Sequence, residues 1–347
     1  SGWIAFMGLQ FSTFGVNAYL VRKCSGGFFW LYQGRLHGFA VGLVKAPPHQ
    51  LVVGFLPYCL ELMAMTQGIP EPVVVTGASG QVGRALISQF QQAGIRSKAL
   101  VRKPAGLGDC LEYCDWMSSP EAESVLASAG AVVHLAGNLK PAKGDYTSAN
   151  LKTTQRVANS ISPTCCRRLI FLSFHGASTS SKNEYLASKA QAEEILLTAG
   201  VPTTILRCCH IVGSPPHPGP TASSLIAGSS GVVKLLGSGS QRWAPLALND
   251  VVAAIISSLL GEHDGRFDLQ GPEVMELDEL VTVLNPGKRL RRVHIPAPFA
   301  HLLRFTGLPE ALIEVMLSDC FSDPGGPATK ALSILGINPT SLRQQWT

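Results

Sequence analysis

Three residues of the chain combine proton-handling chemistry with a spacing that could bring them together. Tyr185 and Lys189 stand four apart, so on a helix they share a face. An ammonium beside a phenol favours the phenolate and lowers the phenol's pKa. A phenol tuned in this way can give or take a proton at a carbonyl or alcohol carbon that exchanges a hydride. Ser173 closes the apolar run before this helix, where its hydroxyl could hold a substrate oxygen. By itself the Tyr–Lys spacing would read as an ordinary helix surface. Its weight comes from what lies upstream.

Upstream, Val73 to Val75 is a β-branched run fit for a buried parallel strand. It leads into Gly77-Ala78-Ser79-Gly80-Gln81-Val82-Gly83, and then into helical periodicity from Arg84 to Gln92. Strand, glycine loop and helix in that order form a dinucleotide fingerprint. Gly77 allows the tight turn, Gly80 lets backbone approach a pyrophosphate, and Gly83 lets the helix pack close to the sheet. The first turn of the helix offers free N–H groups and a positive dipole end to phosphate. The next strand, Ser97 to Val101, ends in Arg102-Lys103, where NAD-preferring domains usually place an acid. A guanidinium can pair with a 2′-phosphate at two points. NADP(H) is therefore expected over NAD(H), with Arg102 as its reader. Asp115 follows a plausible short strand in 112–116 and could accept from an adenine amino group. Ala136 and Gly137 end a further strand, Ala131 to Leu135, and their small size lets backbone pass the cofactor ribose.

These residues need a scaffold. Further strands are expected at Leu169 to Leu172 and Thr203 to Arg207, with a helix from Tyr185 to Thr198. Strands alternating with helices imply βαβ units and a parallel sheet. The expected fold is α/β, a doubly wound Rossmann sheet over 71–212. A smaller α/β lobe over 213–347 is expected to interleave with it. That lobe has a Pro-rich loop at Ser214 to Pro220, a helix from Asp250 to Leu260, and another over Val274 to Leu284 after a turn at Gly271-Pro272. Short helices with Pro-rich starts are expected from 285 onward.

Composition narrows the class. Of 347 residues, 46% are hydrophobic and 15% charged, with a net charge of +5. No Lys/Arg run is dense enough to read as a nucleic-acid footprint. The nine cysteines show no zinc spacing and read as buried free thiols. His134, His175 and His210 read as satisfied core or loop histidines, so no metal is expected. Residues 1–60 contain no Asp or Glu yet carry Arg22, Lys23, Arg35 and Lys45. Absence of acids with scattered cations marks an organelle transit region. The apolar run Trp3 to Val21 is marginal against the ~20 residues of a membrane span, and Val52 to Met65 is too short. Residues 1–70 are read as a targeting or contacting extension, with membrane contact through 1–65.

Taken together, TGASGQVG, HLAG, the Ser173 strand and YLASK resemble the short-chain dehydrogenase/reductase superfamily over roughly residues 72–345. The stretches SKALVRKP, EYLASKAQAEEILLTAGVPTTILRCCHIVG, KLLGSGSQRWAPLALNDVVAAI, GRFDLQGPEVMELDELV and DPGGPATKALSILGINPTSL carry a narrower match. They most resemble an atypical, extended branch containing the NAD(P)H-binding alpha-subcomplex subunit nine of respiratory complex I. That resemblance implies a tightly held, structural NADPH and partners among the subunits of a membrane redox complex. It implies a mitochondrial location on the matrix side of the inner membrane, with a plastid as the alternative. It also implies that the LNDV element serves the C-terminal lobe and that the tail packs on it. The intact Tyr185 and Lys189 keep an active NADP-dependent reductase or epimerase open as a second reading.

Overall fold

A run of valines with no polar alternation has no face to offer water, so it must be covered on both sides. Val73–Thr76 is such a run, and all four of its residues are buried. The computed structural model describes residues 68–261, 263–322 and 326–347, together with the backbone of three strands nearer the start. The chain divides into two units, Ser1–Met65 and Thr66–Thr347.

In the first unit, β1 (Phe6–Phe11), β2 (Val16–Arg22) and β3 (Phe28–Gly34) form an antiparallel sheet in that order. The apolar run from Trp3 to Val21, weighed above as a marginal span, thus contributes two paired strands instead of a helix. Of the polar residues that interrupt it, Gln10 falls in β1 and Asn17 in β2. The second apolar run, 52–65, lies outside the described residues. Among the described residues no helix is long and apolar enough to cross a membrane.

The second unit is built on a seven-stranded sheet. Its strands are β4 (Val73–Thr76), β5 (Ser97–Leu100), β6 (Leu111–Tyr113), β7 (Ala131–His134), β8 (Arg168–Phe174), β9 (Thr203–Cys208) and β14 (Gly265–Leu269), in the order β14-β9-β8-β7-β4-β5-β6. Every pairing is parallel. The chain leaves β4 in one direction and returns to β7 on its other side, which opens a crevice at the carboxyl ends of these two strands. Helices cover both faces. Among them are α1 (Gln81–Ala93), α2 (Pro120–Ala127), α3 (Lys152–Ser160), α4 (Glu184–Leu197) and α5 (Leu248–Leu260). Helix α1 buries Val82, Leu86, Ile87 and Phe90 on one side and stops at Gly94, whose φ of 70° continues the chain without strain. Val74, Leu100, Leu126, Leu169, Phe171 and Ile205 share one core beneath the sheet.

Beyond β9 the chain builds a lobe from small sheets. β10 (Ile211–Val212) pairs with β13 (Leu246–Ala247), β11 (Val232–Leu236) with β16 (Arg291–Ile295), and β12 (Arg242–Trp243) with β15 (Met275–Glu276). The expected helix over 274–284 is shorter, α6 (Leu277–Val283), because Met275 and Glu276 are drawn into the β15 ladder. Trp243, Val233, Leu235, Leu280 and Trp346 form the lobe's own core. The lobe is interleaved with the main sheet through β14.

Asp250, in the first turn of α5, is buried and accepts from both the backbone N–H (2.7 Å) and the hydroxyl (2.6 Å) of Thr340. This one carboxylate ties residue 340 to the helix that follows β13. Removing it leaves two partly buried donors of Thr340 without their acceptor, a loss of about 1 kcal/mol. Asp250→Ala is expected to lower the thermal midpoint by several degrees, read by calorimetry. An unchanged midpoint would show that the tether contributes nothing to the fold.

Candidate functional site

The glycine loop is held open by crowding. A Cβ on Gly77 would stand 2.7 Å from the Ala136 nitrogen, and its φ is +67°. A Cβ on Gly83 would stand 2.5 Å from the Ala78 Cα, so α1 can approach its own loop only without a side chain there. Gly80 is the residue that precedes α1, and no side chain caps the first turn. The N–H groups at that end of the helix therefore face the crevice without an internal acceptor. Thr76 fixes the adjacent strand ends: its Oγ1 accepts from the Ala136 N–H at 3.2 Å and meets His134 Nδ1 at 2.7 Å.

Gly77, Gly80, Gln81, Val82, Gly83, Gly137, Ser173, Tyr185 and Lys189 all line one cleft at the carboxyl ends of β4 and β7. Gly137 is small because Lys189 Nζ and Asn150 Oδ1 pass within about 3.1 Å of where its Cβ would be. Ala78 is buried beneath the loop and Ser79 is exposed at its rim. Ala136 lies beside the cleft, held by Thr76.

Arg102 and Asp115 stand farther out. Arg102 follows β5, is exposed, and makes no hydrogen bond or ion pair to any described residue. Its loop is nevertheless fixed. Glu112 accepts from the Ala105 and Leu107 N–H groups at 2.6 and 2.7 Å, and these bonds hold its carboxyl below the usual range. Arg84 reaches from α1 to the Ala105 carbonyl at 3.0 Å. Asp115 is exposed at φ 51°, and its backbone carbonyl accepts from the Ser118 and Ser119 N–H groups.

The proton-handling set departs from expectation in two ways. First, Ser173 donates to Glu193 Oε1 at 2.5 Å. Glu193 is fully buried and also binds Arg207 at two points and Arg266 at 2.9 Å. The hydroxyl is thereby engaged in an ionic cluster that joins α4, β9 and β14. Side chains alternate along a strand, so Phe174 points the other way from Ser173. Its ring stands edge-on to Tyr185, at 5.5 Å, and to His210, at 5.4 Å.

Second, the phenol of Tyr185 is not tuned downward. It is buried, with the Tyr146 ring 5.9 Å away, and burial pushes its pKa up. Lys189 does not offset this, because its ammonium donates to the Leu172 carbonyl at 2.8 Å and sits over the Phe171 ring. Desolvation wins over the ion-pair effect that the spacing suggested. Helix geometry does place both residues on the inner side of α4, started by Asn183, whose side chain accepts from the Leu186 N–H.

The histidines divide. His134 is satisfied by Thr76 and by Thr154 at 3.0 Å, and burial lowers its pKa to about 3. His175 is not satisfied as expected: its buried Nδ1 has no hydrogen-bond partner and only approaches Asp268 at 3.7 Å, a carboxylate that raises its pKa. His210 breaks the expectation of a satisfied core residue. It is 2% exposed, lines the cleft, and neither ring nitrogen has a partner. Gln81 Nε2 is likewise buried and unpaired. The sequence offered no signal for either beyond their place next to a strand end or glycine loop. The described cysteines are free, five of them buried, one intermediate and one exposed, while Cys24 and Cys59 lie outside the described residues. Among the described residues no cluster could hold a metal.

Burial holds the Lys189 pKa down at about 8. A lysine with a lowered folded pKa penalises folding wherever both states are protonated. That penalty fades as pH rises from about 8 toward the unfolded value near 10.4. Measured against Lys189→Met by denaturant titration, the wild-type chain is expected to gain up to about 3 kcal/mol over that window. A difference that stays flat with pH would sink the assignment of a desolvated ammonium.

Residues 73–266 match the NAD dependent epimerase/dehydratase family. The chain is 29% identical over 246 residues to the NADH dehydrogenase [ubiquinone] 1 alpha subcomplex subunit 9, mitochondrial, of Arabidopsis thaliana, a match covering 65% of this chain and 60% of that protein's length. It is 24% identical over 294 residues to the NADH-ubiquinone oxidoreductase 40 kDa subunit, mitochondrial, of Neurospora crassa, covering 77% and 76%. Among solved structures, MoeE5 in complex with UDP-glucuronic acid and NAD superposes with a TM-score of 0.63 at 21% identity, covering 79% of this chain and 96% of that one. UDP-glucuronic acid 4-epimerase from Bacillus cereus gives 0.59 at 17% identity, with 79% and 96% covered. With its fold, its glycine loop and a match over more than half of its length, this chain belongs to the NAD dependent epimerase/dehydratase family.

Proposed function

We propose that the chain is an accessory or assembly subunit of a mitochondrial membrane redox complex, built around an NADP(H) molecule that it holds and does not turn over. The observation that carries this reading is the split within the site. Gly77, Gly80 and Gly83 line the cleft in the pattern of a nucleotide loop, whereas Ser173 is committed to Glu193 and the Tyr185 phenol is raised by burial and packed against Phe174 and Tyr146. Two relatives with mitochondrial redox-complex names support a mitochondrial setting. Within it, the proposed place is the matrix side of the inner membrane.

The cradle fits a dinucleotide on its own chemistry. Gly77 and Gly83 let backbone pack on backbone where no Cβ would fit, which draws the start of α1 and the end of β7 together, and no side chain caps the first turn of α1. Gly80 to Gly83 would hold the pyrophosphate, Ala136 and Gly137 would flank the ribose, and Asp115 would accept from the adenine. Arg102, exposed and unpaired among the described residues, would take the 2′-phosphate. A bound nicotinamide could supply or accept a hydride, and Tyr185 and Lys189 line the same cleft. That placement supports the second reading, an active NADPH-dependent reductase or epimerase.

Two measurements decide. Protein purified from its native membrane is expected to run within a large complex and to release NADPH on denaturation, with no turnover on carbonyl or sugar-nucleotide substrates. Turnover abolished by Tyr185→Phe, with cofactor retained, would establish the enzyme instead. Arg102→Ala is expected to weaken NADPH binding by about 10- to 100-fold, the scale of a lost charge-assisted pair, while NADH binding barely changes. Equal loss for both nucleotides would show that Arg102 does not read the 2′-phosphate.

A further inference from the structure

An exposed apolar stripe sits far along the chain from the cleft residues. Ala297–Ala300 is a short helix, α7, and it tightens into a 3₁₀ turn over His301–Thr306. A 3₁₀ helix repeats every three residues, so side chains three apart eclipse one another. Leu302 and Phe305 have that spacing within the 3₁₀ run, Phe299 precedes them by three residues in α7, and the three are 54%, 76% and 62% exposed. Between them Ala300 is fully buried, so the segment is anchored by its small residue and shows its large ones to solvent. Three large apolar groups in register are a patch and not scattered surface residues.

The surroundings are cationic. Residues 287–309 hold Lys288, Arg289, Arg291, Arg292 and Arg304 and no acid. Arg292 is engaged by Asp278, and Lys288 donates to the Ala227 carbonyl. Arg289 and Arg291 have no side-chain partner among the described residues and are exposed. Arg304 lies over the Phe305 ring, 4.9 Å from its centroid, and stands 4.0 Å from Glu310, so its charge is shared between that carboxylate and the most exposed aromatic. The parallel register of β11 and β16 continues the pattern. Lys234 stands beside Val293 and Val232 beside Arg291, with Lys234, Arg291 and Val293 exposed on one face.

We propose that this face, from β16 through the 3₁₀ turn, is a peripheral docking surface for an anionic lipid membrane. The inference stands apart from the nucleotide site and from any contact made by residues 1–65. An apolar stripe preceded along the chain by exposed cations fits a layered partner, with phosphate outside and hydrocarbon beneath. Phe299, Leu302 and Phe305 enter the acyl boundary, and Arg289, Arg291 and Arg304 meet lipid phosphates. A nucleic acid would use the cations and leave the stripe in water. An acidic protein is the competing occupant that the experiment must separate.

The test is flotation of the full chain with vesicles of phosphatidylcholine alone or mixed with phosphatidylglycerol. Binding is expected on the anionic vesicles and is expected to fall at high salt. The pair Arg289→Gln and Arg291→Gln is expected to weaken it by about fivefold per charge. The pair Phe299→Ser and Phe305→Ser is expected to weaken it as well, with an unchanged thermal midpoint, whereas Phe305→Trp keeps it. Failure of the wild-type chain to float overturns the proposal. So does flotation that neither pair alters, which would assign the membrane contact to another part of the chain. Binding to polyglutamate as tight as to vesicles, and indifferent to the phenylalanine changes, would assign the face to an acidic protein.

Discussion

The structure turns on a backbone-to-backbone contact that no side chain could share. Where β4 ends, Gly77 presses against the Leu135–Ala136 peptide, and Gly83 presses against Ala78. These contacts bring the start of α1, the end of β7 and the residues after it within reach of a single ligand. Every other component of the cleft is placed relative to that contact. Thr76 links β4 to Ala136, Gly137 makes room for Lys189, and Lys189 fixes α4 against β8 through the Leu172 carbonyl. A methyl group at either glycine would move all of them.

The fold was readable because its signals are local and strong. Val73 to Gly83 shows strand, loop and helix within eleven residues, and β5, β7, β8 and β9 each appear as short apolar runs between breakers. Helices α2 and α3 carry no comparable signal in the sequence. Their sequences, PEAESVLA and KTTQRVANS, carry few large apolar residues, and their helical state rests on capping by Ser119 and on packing of small residues such as Ala122 and Thr154. The short strands of the lobe were missed for a related reason. A two-residue strand has no periodicity, and only its partner far along the chain defines it.

The site was legible by residue and not by state. Tyr185, Lys189 and Ser173 do meet at one cleft, yet spacing says nothing about what each polar atom touches. Glu193 decides the direction of the Ser173 hydroxyl, and it does so because Arg207 and Arg266, 14 and 73 residues away in sequence, supply its positive partners. Burial decides the Tyr185 phenol, and burial is a property of the assembled sheet and helices. His210 is the inverse case. Its position after β9 looked structural, and only the absence of any partner for its two nitrogens shows that it faces the cleft as an unsatisfied group.

The cover of the cleft bears on how the chain reaches its native state. Gln81, in the first turn of α1, packs where Gly213 and Gly219 leave space, and the 213–214 turn is held by the Trp346 indole, 3.2 Å from the Gly213 carbonyl, and by Gln345 to Ser214 at 2.8 Å. Positions 81, 213 and 346 therefore meet only after nearly all of the described chain is available. Such long-range closure is slow, because loop entropy must be lost before the contact forms. The glycine loop can take shape early from local sequence, while its cover arrives last. During synthesis the nucleotide-binding half would stand open until that late segment returns, an interval in which a bound ligand or a chaperone would have most influence on folding yield.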